Sequence, residues 1–315
     1  MKITCTPVEA QAILASAQIQ CAAPDVELIK THNHIFRITT PAAVYFLKTY
    51  TKDWYQDCAI GVVTHEAGGF SALATRGIPA AAVVLSCDHL HNPLQRPFLL
   101  TRQLRGEPLT KLLRESSPHD FKALLGTTGS HLRRCHEIVF NYPGYVGSPE
   151  GPTSPHEPGQ WIHPYCSAAK MQQEALAGLH SERNQMPPEL FAAMVELLSS
   201  FEHRMQSEYY PPRFIHGDCH ASHFFLYQEN GSWQVSGSID MEVAASGAPI
   251  CDLMKFSNEM VTLFPHTSHW WKPLFDGYGG EPSFEAMKLL FLCEWADRRE
   301  RLLQARDWEA LFSAL

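Results

Sequence analysis

The period of hydrophobic and polar positions changes along the chain, and each change marks an element. Thr6-Pro7-Val8-Glu9 places a hydroxyl at an N-cap, a proline at the first helical position and a glutamate three residues on. That pattern predicts a capped helix to about Ile19. Short β-branched and aromatic runs follow at residues 26–29, 35–39 and 44–48. Three such runs with short connections predict an antiparallel meander. Helical spacing returns with Glu66, Phe70 and Leu73 on one face. Gly68 and Gly69 weaken that helix, each by about 1 kcal/mol relative to alanine. Residues 78–85 and 97–101 read as two further strands of a five-stranded sheet.

The pattern is then mostly helical. Ser117-Pro118-His119-Asp120 caps a helix to about His136, with Leu124, Leu125, Leu132 and Ile138 inward. Residues 141–164 are rich in proline and glycine and read as a long loop, anchored near its end by Trp161. Pro187-Pro188-Glu189 opens a helix carrying Leu190, Met194, Val195, Leu198 and Phe201 on one face. Residues 253–264, the Trp270-Trp271 pair and residues 284–303 complete a helical C-terminal part. No internal repeat interrupts the chain.

Between these helical parts lies a hairpin. Residues 224–227 and 233–239 are strand-like, and Asn230-Gly231 lies between them. Asn-Gly suits a tight turn because both central residues need positive φ. A turn centred there pairs Ser238 with His223 and leaves Asp240 at the hairpin's open end. Asp218, His223 and Asp240 then converge at one mouth. Two carboxylates and an imidazole at one mouth suit a hard cation and a hydroxyl substrate.

The same stretch carries a resemblance. His216-Gly217-Asp218, His223 five residues beyond Asp218, the hairpin ending Ile239-Asp240, and Gly247-Ala248-Pro249 ahead of Asp252-Leu253 resemble the core of aminoglycoside phosphotransferases and choline-kinase-like small-molecule kinases. The family usually has Asn where His223 stands and Asp where Ala248 stands. Macrolide phosphotransferases look similar in carrying His at the first of these positions.

The resemblance implies an α+β, two-lobed protein-kinase-like fold. A small antiparallel-sheet N-lobe (residues 1–104) would precede a larger, mainly helical C-lobe (residues 105–315). It implies that Lys48 holds nucleotide phosphates and pairs with Glu66, with Asp57 as the competing acid. Thr101, Arg102, Gln103 and Leu104 would form the adenine-contacting hinge. Residues 31–34 would cover the phosphates, although they include no glycine, and His32 and His34 read as surface residues. Asp218 would be the base, and Asp240 the principal Mg²⁺ ligand with His223 as a second; imidazole in place of an amide oxygen opens the site to Mn²⁺. His216 and Asp252 would shape the loop, and His136 would be structural. ATP or GTP would be the co-substrate, and a small-molecule hydroxyl the acceptor: an antibiotic sugar, choline, an amino alcohol or another metabolite.

Composition narrows the partners. The 315 residues are 45% hydrophobic and 18% charged, as in ordinary globular proteins. A formal charge of −8 argues against nucleic acid and mildly favours a cationic small molecule. Nine scattered cysteines with no Cys-x-x-Cys pair suggest reduced thiols and a cytoplasmic protein. No apolar run predicts a membrane span and the opening residues predict no signal peptide. Oligomeric state leaves no signal. Two other readings stand beside the kinase. His216, Cys219, His220 and His223 offer zinc donors, though their spacing is short for a tetrahedral site and Lys48, Asp240 and Asp252 are left over. A catalytically degenerate binding protein on the same fold is the second. Trp270, Trp271 and Tyr278 suit either a cation-binding wall or core packing.

Overall fold

The computed structural model describes residues 4–31, 33–50, 61–155, 162–265 and 269–315. Asp57, Trp161 and His32, singled out above, lie outside the described residues. Helix α1 (Pro7–Ser16) begins at Thr6, whose hydroxyl accepts from the Glu9 amide while Glu9 Oε2 accepts from the Thr6 amide at 2.6 Å. It buries Ala10, Ile13 and Leu14. Strands β1 (Asp25–Lys30), β2 (Ile35–Thr39) and β3 (Val44–Thr49) form the expected meander. Helix α2 (Val62–Ala74) follows, then β4 (Val83–Cys87) and β5 (Phe98–Arg102). The sheet order is β1-β2-β3-β5-β4, antiparallel throughout.

Two details depart from the sequence reading. The strand expected from Ile78 begins only at Val83, and residues 78–82 instead pass over α2, with the Ala81 amide bonded to Ser238 O at 3.0 Å. The α2 glycines are places of close approach. A Cβ at Gly68 would strike the backbone of Gly147, and one at Gly69 the side chains of Ala244 and Met241. The helix thus gives up propensity to let the hairpin's exit and the 146–147 segment pack against it.

The second half is helical, with two small sheets. In order come β6 (Glu107–Pro108), α3 (Leu109–Glu115), α4 (Pro118–His136), β7 (Gly144–Tyr145), α5 (Ala168–Ser181), α6 (Pro188–Ser199) and α7 (Phe201–Tyr209). Then follow β8 (Arg213–Ile215), β9 (Phe224–Glu229), β10 (Ser232–Ser238), β11 (Ala245–Gly247) and α8 (Pro249–Leu263). The chain ends with α9 (Trp271–Tyr278), α10 (Phe284–Glu294), α11 (Arg299–Gln304) and α12 (Trp308–Ala314). The helical stretch expected over 284–303 is divided into α10 and α11 by a 3₁₀ turn at Ala296–Arg298. The three strands β10-β9-β6 form one sheet and β7-β11-β8 another.

Trp270 is buried and packs on Phe312, Trp271 stacks on Trp308, and the Tyr278 hydroxyl meets His136, so all three serve packing. The largest apolar core gathers α4, α5, α7, α8 and α10 around Phe201, Phe256 and Phe291. All described cysteines are free thiols. Among the described residues no helix is long and apolar enough to cross a membrane.

Candidate active site

The hairpin turns at Asn230-Gly231, both at positive φ (50° and 77°). Its register differs from the expected one. Glu229 pairs with Ser232 as the turn demands, but a bulge between Val235 and Gly237 shifts the rest, so Ser238 faces Phe224 rather than His223. Ser236, at the bulge, donates from its hydroxyl to Arg105 O and Phe225 O. The extra residue re-aims the strand end, as bulges do beside functional sites. His223 O instead accepts the Ile239 amide at 3.0 Å, and Asp240 follows at φ 62°. Aspartate is among the few non-glycine residues that tolerate this left-handed region.

Asp252, at the start of α8, fixes the loop that carries Asp218. Its carboxylate accepts the His216 amide at 2.6 Å and the Gly217 amide at 2.9 Å. His136 Nε2 lies 3.1 Å from the same carboxylate, and His136 Nδ1 lies 2.9 Å from the Tyr278 hydroxyl. Gly217 sits at φ 78°, where a Cβ would meet the Val243 carbonyl, so no other residue fits there without strain. The His216 ring donates to Ile239 O at 2.9 Å and stacks on His223. The structural roles expected of His216, Asp252 and His136 are therefore visible as contacts.

Two turns of α8 extend the support. Lys255 Nζ lies 3.4 Å from Asp218 Oδ1. Glu259 accepts the Ala221 amide and lies 3.5 Å from His220 Nδ1. His220 Nε2 in turn is 3.1 Å from Asp218 Oδ1. The hydrogen bonds to Asp218 and Glu259 raise the His220 pKa to about 9, so it carries charge at neutral pH. Burial works to raise the Asp218 pKa, but the His220 hydrogen bond and the charges of His220 and Lys255 outweigh it and hold the carboxylate ionised.

Across the cleft, Lys48 is not the solvent-reaching lysine its strand-end position would allow. It is 9% exposed. Its ammonium meets Glu66 Oε2 at 2.9 Å, Asp240 Oδ1 at 2.5 Å and Glu242 Oε1 at 2.6 Å. Tyr50 donates to Glu66 Oε2 at 2.5 Å. Burial disfavours the ammonium, but three carboxylates outweigh it and keep Lys48 charged. Burial raises the Glu66 pKa to about 7 against the pull of Lys48, because three acids share one cation. For Asp240, burial is overcome by Lys48, and its pKa falls to about 2.

The segment between β1 and β2 contains no glycine, and Asn33 takes the left-handed role at φ 43°. Asn33 is buried and donates from Nδ2 to Glu242 Oε1 at 2.5 Å, tying this segment to the hairpin's exit. His34, expected at the surface, is half-buried.

Two cavities meet here. One, of about 240 Å³, is apolar and lined by Ile29, Phe46, Leu99 and Ile239 together with Thr101, Arg102, Gln103 and Leu104. The other, of about 270 Å³, carries the charged and polar side chains of Lys30, Asn33, His163, Asp218, Glu242 and Lys255 in its lining. They share Ile35, Lys48 and Asp240. All the expected site residues except His223 therefore line these two cavities.

His223 stands behind the wall. Its Nδ1 donates to Asp218 O at 2.9 Å, which leaves the Nε2 lone pair toward Asp240 Oδ2, 3.6 Å away. A backbone partner on the far nitrogen is how metal-binding imidazoles are usually oriented. Burial lowers the His223 pKa to about 4, which keeps the ring neutral. That lone pair faces the Asp240 carboxylate, whose oxygens, like those of Glu242, are of the hard type that suits a divalent cation. Among the described residues, the three-acid group close enough to share one ion is Glu66, Asp240 and Glu242. The His/Cys set does not close on one point among them, and the buried Cys219 belongs to the apolar core, where burial pushes its thiol pKa up. The zinc reading fails on that geometry.

Residues 29–310 match the family model described as the phosphotransferase enzyme family. The chain belongs to that family. Solved aminoglycoside phosphotransferases share its kinase-like α+β fold. APH(3'')-Id of Streptomyces rimosus, in complex with ADP and streptomycin, superposes with a TM-score of 0.58 at 16% identity, covering 90% of this chain and 96% of that one. APH(2'')-IIIa, in complex with GDP and kanamycin, gives 0.59 at 14% identity, covering 98% and 96%. A presumed aminoglycoside phosphotransferase of Ralstonia eutropha gives 0.62 at 13% identity, covering 98% and 94%. No functionally curated protein matches the sequence.

Sequence reasoning missed Glu242, Lys255 and Glu259, and gave His220 only a zinc role. A signal existed for each. Glu242 lies one residue beyond the neighbour of Asp240, and Asp252, Lys255 and Glu259 follow helical spacing on one face.

Proposed function

We propose that this phosphotransferase moves the γ-phosphate of ATP or GTP to a hydroxyl of a small molecule. The observation that carries the reading is the meeting of the two cavities at Lys48 and Asp240. An apolar slot lined by residues 101–104 suits a purine, and a chamber with charged side chains in its lining, ending at Asp218, suits a triphosphate and an acceptor. Arg102 N donates to Ala82 O and Gln103 N to Val44 O, both at 3.0 Å. Among the described residues the Leu104 amide has no such commitment, and it is the hinge donor left for a base. On this reading residues 1–104 and 105–315 act as two lobes with the nucleotide between them.

Asp218 accepts the proton of the acceptor hydroxyl as the oxygen attacks phosphorus. Its low pKa makes it a positioning carboxylate as much as a base, which suits a loose phosphoryl transfer. Lys48 orients the α- and β-phosphates, held in place by Glu66. Asp240 would hold the divalent cation, with Glu242 close enough to share it and the His223 Nε2 3.6 Å from Asp240 Oδ2 as the further donor. When bound, that cation neutralises the triphosphate and the leaving diphosphate. Mg²⁺ serves here, and Mn²⁺ suits the imidazole donor better.

APH(3'')-Id is solved with streptomycin and APH(2'')-IIIa with kanamycin; an aminoglycoside or a metabolite amino alcohol is the acceptor class this family membership supports. The test is phosphorus NMR of the protein with ATP or GTP, Mg²⁺ or Mn²⁺, and a panel of aminoglycosides and amino alcohols. A new phosphate-ester signal, absent with Asp218→Ala, supports the reading. Nucleotide that binds but is never transferred or hydrolysed points instead to the degenerate binding protein.

A further inference from the structure

Neither the catalytic motif nor the expected metal set gives Lys255 a part, yet its ammonium lines the transfer chamber beside Asp218. Lys255 is placed by the helix that anchors the loop. Asp252 holds the amides of His216 and Gly217, and Lys255 lies one turn further along α8. Its Nζ approaches Asp218 Oδ1 at 3.4 Å and lies 5.8 Å above the Tyr165 ring. A committed charge-assisted bond is shorter, about 2.7–2.9 Å. Asp218 also has His220 on the same oxygen at 3.1 Å. The ammonium is therefore not consumed by the ion pair.

The other lysines of the chamber are placed differently. Lys48 meets three carboxylates with its three hydrogens. Lys30 is exposed at the opposite rim, at the end of β1. Lys255 alone of the three stands at the Asp218 end, where a triphosphate running from the purine slot past Lys48 would present its last phosphate.

We propose that Lys255 binds the γ-phosphate and stabilises the charge of the transferring phosphoryl group. The inference rests on the phosphotransferase reading above. In the step, the bond from the γ-phosphorus to the β,γ-bridging oxygen breaks and its electron pair leaves with the nucleoside diphosphate. A bond forms between phosphorus and the acceptor oxygen, and the acceptor proton passes to Asp218. Lys255 stays protonated throughout and balances charge on the equatorial oxygens.

The test compares nucleotides with and without a γ-phosphate. Calorimetric titrations with the non-hydrolysable β,γ-imido analogues of ATP and GTP, beside ADP and GDP, would use wild type, Lys255→Met, Lys255→Arg and Lys48→Met, all with Mn²⁺. Lys255→Met should weaken the imido analogue by about 10–100-fold, the usual worth of a charged hydrogen bond, and leave the diphosphate within about threefold. Lys255→Arg should restore most of the difference, and Lys48→Met should weaken both ligands together. Wild type that binds both ligands, with Lys255→Met weakening both equally or neither, overturns the inference and leaves the kinase reading standing. Wild type that binds no nucleotide overturns both.

Discussion

Lys48 Nζ lies 2.5 Å from Asp240 Oδ1, and this contact joins the N-terminal sheet to the end of the β9–β10 hairpin. The ammonium also gathers Glu66 and Glu242, so one buried cation holds three acids. Removing it should do more than weaken phosphate binding. Lys48→Met should destabilise the fold by about 3–5 kcal/mol, because unpaired buried carboxylates remain. Urea denaturation monitored by fluorescence checks this; a change below about 1 kcal/mol would show the cluster to be hydrated.

The same cluster sets a pH dependence. Glu66 has its pKa raised from 4.5 to about 7, so the folded state favours the protonated form. Stability from this group is present below 4.5 and is lost as pH rises through about 7. Glu66→Gln should flatten the stability profile in that window. His220 adds a second slope, because its pKa rises from 6.5 to about 9. Its contribution is present below 6.5 and lost as pH climbs through about 9. Glu259→Gln should shift that loss to lower pH, read from denaturation midpoints across the range.

Asp252 is fully buried, and three groups depend on it: the His216 and Gly217 amides and His136. Asp252→Ala orphans them and should cost about 3–5 kcal/mol. Catalysis should fall further than stability explains, since the loop presenting Asp218 loses its anchor. A variant with unchanged melting temperature would contradict this.

Much of the fold was legible because its signals are local. The Thr6 capping box, the Ser117 cap and the Asn230-Gly231 turn each depend on neighbours within a few residues, and each forms as expected. The register beyond the turn was not legible. The bulge at Val235–Gly237 answers to contacts with Arg105, over a hundred residues away. Helix α5 escaped notice because only Ala168, Met171, Ala175 and Leu179 are buried, half of them alanine, which leaves a faint stripe. In the site, the residues of the motif were readable, whereas Glu242, Lys255 and Glu259 left only a spacing signal, because their roles rest on contacts with Lys48 and with the Asp218 loop that no local pattern shows.

Asp218→Ala should lower kcat by about 10²–10⁴-fold, the usual worth of a positioned acid–base group, with nucleotide affinity nearly unchanged. Steady-state kinetics on the acceptor found by the NMR panel would separate the two. A fully active variant would remove Asp218 from its role.

His223→Asn restores an amide oxygen at a position where imidazole faces Asp240. Wild type should show a larger nucleotide response with Mn²⁺ than with Mg²⁺, and the variant should narrow or reverse that order. An unchanged metal preference would show that His223 does not meet the ion.

On the proposed function, the Lys48–Asp240 junction holds a metal-bound nucleotide. Thermal melting with ATP and with GTP, in the absence of metal and with Mg²⁺ or Mn²⁺, tests it most directly, because a ligand that binds only the folded form must raise the melting temperature. Wild type should show a rise that requires both nucleotide and metal and that disappears in Asp240→Ala. No rise with either nucleotide under any metal condition would contradict it.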